Sequence, residues 1–389
     1  MNAIFSRLKQ RVKKHRSIYY LLQFLVMIWH SRWGKITGKQ KKFPHTIQLP
    51  ITNKCNSRCV MCKVWQKDCR GEADVSEFSS FLKDSIFKEV TTVGVNGGEP
   101  ALVKNLPKYI EPILKLPKIK ALNVISNGFI QKSFLDNIKI IFQMCRAKNV
   151  SFHLSISLDG VGQVHDQVRN IPNAFKRTLV TIEEIQNNLS LYCDTFNIGC
   201  TIVKQNIDNL IELDAFAKKK NLDIEYRLGV PNKRIASDKC TDEYAITERS
   251  HIQSAIEFFH YQMSISKNLY EKFKYFSIIY SLERKFSKRL LGCTWKDEGI
   301  TLDRSGNLYY CAVASNCIGN LRDKSGEKIF FDTKNIQYRK DLIKTYCDAC
   351  IHDYTGRIEL KSLYYFIKEF IFNQYALRYY QIMLNNKEL

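Results

Sequence analysis

Between residues 47 and 228 six strand-like runs alternate with five helix-like stretches, and no hairpin signal interrupts the series. The strand candidates are 47–52, 90–95, 120–126, 150–158, 196–203 and 222–228; helical patterns fall near 77–88, 103–116, 132–147, 173–187 and 207–220. Strands joined by helical crossovers are parallel neighbours, so this alternation restricts the chain to an α/β fold with a parallel sheet, open or barrel-like, and helices outside. Active sites of such folds sit at the carboxyl ends of the strands. The loop that leaves the first strand is therefore where chemistry is expected.

That loop reads Cys55-Asn56-Ser57-Arg58-Cys59-Val60-Met61-Cys62 and carries three thiols in eight residues. Such spacing can gather three sulfurs round one inorganic centre. Zinc would need a fourth ligand, whereas a [4Fe–4S] cluster can be held by three thiolates with one iron open to a further ligand. The chain has thirteen cysteines, an odd number clustered at short spacings, which favours metal ligation in a reducing compartment over a secreted disulfide framework.

After the second strand comes Asn96-Gly97-Gly98-Glu99-Pro100, where two glycines let backbone approach a ligand closely and exposed amides could accept an anionic or zwitterionic group. An ordinary strand-to-helix turn would look the same in isolation. Cys-x3-Cys-x2-Cys after the first strand with Gly-Gly-Glu-Pro after the second resembles the radical S-adenosylmethionine (SAM) superfamily. The resemblance implies a partial (βα)6 barrel over about residues 46–230, with Cys55, Cys59 and Cys62 holding a [4Fe–4S] cluster whose open iron binds SAM. It implies that Gly97, Gly98 and Glu99 form the turn near the SAM amino group, and that Ser126-Asn127-Gly128 ends the third strand near the cofactor. Ser157-Leu158-Asp159-Gly160, followed by His165-Asp166 and Arg169, resembles a signature of members with a C-terminal auxiliary domain. Ser157 and Arg169 are thereby expected near SAM's carboxylate or ribose, an Arg fork being suited to a carboxylate. Met61 stands where many members carry an aromatic residue.

A second cysteine group lies downstream at Cys293, Cys311, Cys317, Cys347 and Cys350. The run 299–310 reads as a β-hairpin turning at 303–306, which would bring Cys293 and Cys311 together. By spacing, zinc or an iron–sulfur cluster would satisfy these ligands. Cys-x12-Gly-x4-Cys resembles the opening of SPASM and twitch domains, and the lack of cysteine after Cys350 matches one auxiliary [4Fe–4S] cluster better than two. The expected ligands are Cys293, Cys311, Cys347 and Cys350, with Cys317 as a substitute, and the expected role is electron transfer. Cys69, Cys145, Cys193, Cys200 and Cys240 lie on no such spacing and read mostly as free thiols.

The formal net charge is +22, and the first acidic residue is Asp68. Basic residues flank the apolar run Ile18–Trp29, which at twelve residues is shorter than the roughly twenty that span a membrane. A helix packed on the protein and an interfacial helix on an anionic membrane both fit it. The expected segments are 1–45 basic and apolar, 46–240 radical SAM core, 241–290 helical connection, 291–358 cluster domain and 359–389 C-terminal helix. The function these features imply is a cytoplasmic enzyme, peripheral to the membrane in the interfacial case. It would cleave SAM reductively and abstract hydrogen from a small-molecule or peptide substrate, in a sugar- or aminocyclitol-type oxidation or a peptide modification. Ferredoxin or flavodoxin would be the reductant. No substrate-facing acid or base is legible. A zinc-stabilised protein binding nucleic acid is the rival reading, but it leaves Gly97-Gly98-Glu99-Pro100 without a role.

Overall fold

The computed structural model of the chain describes residues 42–372 apart from 297, 353–355 and 357, and for 369–372 the backbone alone. The expectations for the Ile18–Trp29 run and for the helix beyond residue 372 lie outside the described residues. The six expected strands are present as β1 (Thr46–Pro50), β2 (Thr92–Asn96), β3 (Ala121–Ser126), β4 (Ser151–Ser157), β5 (Thr195–Ile202) and β6 (Ile224–Leu228). All pair in parallel with their sequence neighbours. The longer helices between them are α1 (Val75–Leu82), α2 (Leu106–Ile113), α3 (Gln131–Ala147), α4 (Gln163–Arg169), α5 (Ala174–Asn187) and α6 (Leu210–Lys219).

Each helix forms where its apolar residues recur at helical spacing. In α3 the buried positions are Phe134, Leu135, Ile138, Ile141, Phe142 and Cys145, and Phe142 meets Phe152 of β4 at a ring-centroid distance of 6.1 Å. The helix-side sheet face carries fully buried Ile47, Val93, Leu122, Phe152, Leu154 and Ile198. The opposite face is polar: Gln48, Gly94, Asn123, His153 and Thr195 fall in one register row. His153 Nδ1 lies 2.8 Å from Thr195 Oγ1, and its Nε2 lies 3.3 Å from Asn197 Oδ1.

By packing, the chain divides into two compact units: residues 42–251 with 295–347, and, among the described residues, 252–294 with 348–372. In the first unit the hairpin expected over 299–310 is present as β7 (Gly299–Leu302) and β8 (Asn307–Tyr309). Gly306, at φ +85°, closes its turn, and Asp303 Oδ1 accepts from the amides of Ser305 and Asn307. Hairpin and barrel share one sheet. β7 lies parallel to β1 on its other edge, and β9 (Gly319–Asn320) follows β8, giving the order β6-β5-β4-β3-β2-β1-β7-β8-β9. An exposed β1 edge is thereby covered. Helix α9 (Thr333–Tyr346) completes this unit, with Asp332 capping it by accepting from the amides of Lys334 and Asn335.

The second unit contains most of α7 (Arg249–Ile265), then α8 (Leu269–Glu283) and α10 (Leu360–Phe372). Its core is aromatic. Phe273 and Phe276 stand 5.4 and 5.5 Å from Phe366, and Phe259 stands 5.8 Å from Tyr275, between ring centroids. Among the described residues no helix is long and apolar enough to cross a membrane.

Candidate active site: the cysteine loop after the first strand

The Cys55–Cys62 loop leaves the carboxyl end of β1 and is braced from four directions. The Gly97–Glu99 turn after β2 supplies the first brace: Gly98 N donates to Thr52 O at 2.6 Å and Glu99 N to Lys54 O at 2.8 Å. A Cβ on Gly98 would stand 2.1 Å from Lys54 O, and Gly97 has φ +128° with Thr52 O only 2.6 Å from where its Cβ would be. No side chain fits at either position. The sequence left these amides open to a ligand's anionic group; the Gly98 and Glu99 donors are instead spent on the backbone leading into the cysteine loop.

Glu99 is fully buried. Its Oε1 accepts from Ser126 Oγ at 2.7 Å and Ala101 N at 2.9 Å, and Oε2 accepts from Asn127 N at 2.8 Å. Burial raises its pKa, opposed by these hydrogen bonds. Glu99 thus ties the β2 turn to the end of β3, and Asn127 Nδ2 donates onward to Asn56 Oδ1 inside the cysteine loop at 2.7 Å. Ser126 and Asn127 are accordingly second-turn supports of the loop in this structure.

The third brace comes from β4 and α4. Arg58 N and Val60 N donate to Arg169 O and Val168 O at 3.1 and 3.0 Å. Arg169 is buried, with Nη2 2.6 Å from Asp159 Oδ2 and Nη1 3.6 Å from Cys59 Sγ. Burial works against the Arg169 charge, but Asp159 and Cys59 outweigh it and hold the guanidinium protonated. Asp159 Oδ1 accepts from Thr201 N at 2.8 Å, and Asp159 N donates to His165 Nδ1 at 2.9 Å. That bond needs a neutral acceptor nitrogen, and burial together with Arg169 pushes the His165 pKa well down. Asp166 caps α5, accepting from the amides of Asn173 and Phe175. Ser157, at the end of β4, faces the same side of the sheet as Gly199.

The fourth brace is Glu72, whose Oε1 accepts from Asn53 N at 2.6 Å and from Thr52 Oγ1 at 2.9 Å. Arg304, in the β7–β8 turn, stands 3.2 Å from Glu72 Oε2, donates to Ala73 O at 2.8 Å and to Tyr109 Oη at 2.7 Å. Neither Glu72 nor Arg304 carries a sequence signal; only the pairing of β7 with β1 brings them together. Inside the loop, Arg58 Nη1 donates to the carbonyls of Cys55 and Ser57 while its guanidinium covers Trp65, 4.4 Å from the ring centroid.

The donor set suits a cationic inorganic centre. Burial pushes the Cys55 thiol up to about 12 and Cys62 to about 11, and in each case neighbouring Cys59 adds to the rise. Three thiolates in mutual electrostatic reach are unfavourable unless positive charge lies between them, which a bound metal cluster provides. Among the described residues no three His, Cys, Asp or Glu side chains converge as ligands of a single metal ion.

The model of the Radical SAM superfamily matches residues 49–217, from the end of β1 through most of α6. Those residues belong to the radical SAM superfamily. Within that domain lie all three cysteines, the Gly97–Glu99 turn, Asp159 and Arg169, and the zinc-stabilised nucleic-acid reading is set aside. The chain is similar to the GTP 3',8-cyclase of Helicobacter pylori (strain ATCC 700392 / 26695), 29% identical over 188 residues, covering 46% of this chain and 54% of that protein. A GTP 3',8-cyclase of Clostridium botulinum (strain Okra / Type B1) is 25% identical over 190 residues, covering 47% and 54%. The chain thus spans about half the length of these curated relatives. Among solved structures it is similar in fold to anSMEcpe with bound AdoMet and a Cp18Cys peptide, with TM-score 0.56 and 16% identity over 88% of this chain and 99% of that one. Streptococcus suis SuiB bound to S-adenosylmethionine gives TM-score 0.52 and 14% identity over 77% and 68%. The radical SAM domain and the strands beyond it therefore share one α/β architecture with these proteins.

The second cysteine group behaves differently. Cys293 and Cys350 belong to one compact unit, Cys311 and Cys347 to the other. In the former, Arg289 donates to the carbonyls of Leu291, Gly292, Cys350 and His352 at 2.7–3.2 Å, and a Cβ on Gly356 would stand 2.6 Å from Cys293 backbone. In the latter, Val313 N donates to Cys311 Sγ at 3.2 Å. Cys317 is exposed, its Sγ 3.4 Å from Gly319 O. Cys145, Cys193, Cys200 and Cys240 are buried free thiols, as expected, and Cys69 is a half-buried one.

Proposed function

We propose that the protein is a radical SAM enzyme in which Cys55, Cys59 and Cys62 hold a [4Fe–4S] cluster and SAM. The observation that carries this reading is the fully braced three-thiol loop at the carboxyl end of β1, with two glycines packed where no Cβ fits. When bound and reduced, such a cluster supplies the electron that splits SAM to a 5′-deoxyadenosyl radical, which abstracts hydrogen from substrate. This chain's contribution is positional. Glu99 and Ser126 order the β2 and β3 turns, Asn127 holds Asn56, and Arg169 with Ser57 sits on Cys59. The backbone carbonyls of the Gly97–Gly98 turn suit an ammonium group, and Ser157 suits a polar group of the nucleoside or its carboxylate.

The polar sheet face, with Asn123, His153, Asn197 and Arg227, supports a polar substrate, either a small molecule or a peptide of the kind named for the peptide-bound anSMEcpe structure. A second cluster on Cys293, Cys311, Cys347 and Cys350, passing electrons, rests on their spacing in the sequence. Ferredoxin or flavodoxin is the proposed reductant. The basic N-terminal segment is proposed to meet an anionic membrane surface, and full-length protein should bind anionic vesicles more strongly than a chain lacking residues 1–40; equal binding removes that part. The central test is anaerobic reconstitution with iron and sulfide, then dithionite and SAM. Release of 5′-deoxyadenosine is expected, and a colourless zinc protein with no such product overturns the reading.

A further inference from the structure

We infer that Arg169 is a positioning residue for the cluster's electronic state: the buried Asp159–Arg169 pair sets the reduction potential through Cys59. This rests on the proposed function, because it concerns the cluster that Cys59 would hold. The sequence expected Arg169 at SAM's carboxylate or ribose. Its two terminal nitrogens are engaged elsewhere, Nη2 with Asp159 Oδ2 at 2.6 Å and Nη1 with Cys59 Sγ at 3.6 Å.

The three cysteines are not equivalent in this respect. Cys59 Sγ has two polar side chains on it, Ser57 Oγ at 3.0 Å and Arg169 Nη1. Cys55 Sγ receives one backbone amide, Ser57 N at 3.4 Å. Cys59 is also the buried member of the three. A guanidinium this deep is in place because Asp159, with no solvent exposure, is itself fixed by Thr201 N, while Asn206 Nδ2 donates to the Asp159 carbonyl at 2.8 Å. The arrangement is a buried carboxylate and a sulfur bridged by one guanidinium.

A reduced cluster carries one more electron than an oxidised one, so hydrogen bonds to its sulfurs and nearby positive charge favour the reduced form. Interactions of buried charges are only weakly screened. Arg169 raises the potential, and Asp159 holds that effect in check. Removing either charge must therefore move the potential in opposite directions, which a loss of packing alone would not do.

The test is a dithionite-mediated redox titration of the reconstituted full-length protein, read by the electron paramagnetic resonance signal of the reduced cluster, with iron content and circular dichroism measured alongside. Arg169→Gln should shift the potential more negative, Asp159→Asn more positive, and Arg169→Lys should lie nearer wild type than Arg169→Gln. The double variant Arg169→Gln/Asp159→Asn removes both charges and should return towards wild type, and it keeps the test open if Asp159→Asn does not fold. Unchanged potentials, or shifts of the same sign in Arg169→Gln and Asp159→Asn, overturn the inference. A wild-type protein that takes up no cluster removes the proposed function and this inference with it. A wild-type cluster whose signal changes on SAM addition, together with variants that do not shift, removes the inference alone.

Discussion

The two cysteine groups of this chain are built on different principles. Cys55, Cys59 and Cys62 lie on one loop, within one compact unit, and that loop is held by the β2 turn, the β3 turn, α4 and the β7–β8 turn. Cys293, Cys311, Cys347 and Cys350 are spread over 58 positions and fall two in each compact unit. Eight residues of sequence keep the first three thiols on one short loop at little cost in chain entropy, so the surroundings need only rigidify that loop. The second group has no such short loop. Within one unit Arg289 ties Gly292 to Cys350 by donating to both carbonyls, with no motif residue involved.

The contrast can be broken by comparing what each group does to SAM cleavage. Cys59→Ala removes a proposed cluster ligand, and cleavage to 5′-deoxyadenosine should fall to background in a product assay. If it survived, the first group would not be the active one. Gly98→Ala comes next: its Cβ would overlap the Lys54 carbonyl, a contact with backbone that cannot rotate away. Overpacking of this kind costs about 1–3 kcal/mol, and both the melting temperature and the iron retained by the loop should drop. A variant with normal iron and melting would mean that the β2 turn does not brace the loop.

Arg304→Ala tests the longest brace, from the hairpin to Glu72 and so to Asn53. It removes a charge-assisted contact at 3.2 Å and hydrogen bonds to Ala73 and Tyr109, typically worth about 1.5–3 kcal/mol for a charged group. Slower turnover with an intact cluster spectrum is expected. Identical turnover and stability would detach the hairpin from the site. Cys350→Ala should affect cleavage least, while lowering iron towards about half if two four-iron clusters are normally present. Unchanged iron content in that variant would remove the auxiliary cluster.

An acid-stability scan adds a finer probe of the α4 brace. His165 is neutral because burial, with Arg169 behind it, depresses its pKa from 6.5. A depressed histidine contributes stability that is present above its unfolded pKa and lost as pH falls below it, as the imidazole is forced to take up a proton. Wild type should lose stability below about pH 6.5 more steeply than His165→Gln. Parallel curves would show that the Asp159 amide does not depend on that ring.

Much of this was legible in residue order. The six strands came out within about two residues of their observed bounds at every end, because period-two and helical apolar patterns are local and the sheet's helix-side face is apolar. The hairpin at 299–310 was legible too, through Asp303 and Gly306. Its partner was not. Nothing in Gly299–Leu302 says that it should add in parallel to β1, since edge pairing depends on which strand is left uncovered once the first six have assembled.

By itself the sequence determined the parallel α/β fold, the three-cysteine loop and the glycines beside it, because these depend on local periodicity and on backbone that a Cβ would block. Only the tertiary structure decided what surrounds the loop. It turned the Gly98 and Glu99 amides towards the cysteine loop, set Glu99 as the tie to β3, and directed Arg169 to Cys59 and Asp159. Those choices follow from burial: once water is excluded, each donor and charge must find its partner among whatever groups the fold has carried within reach.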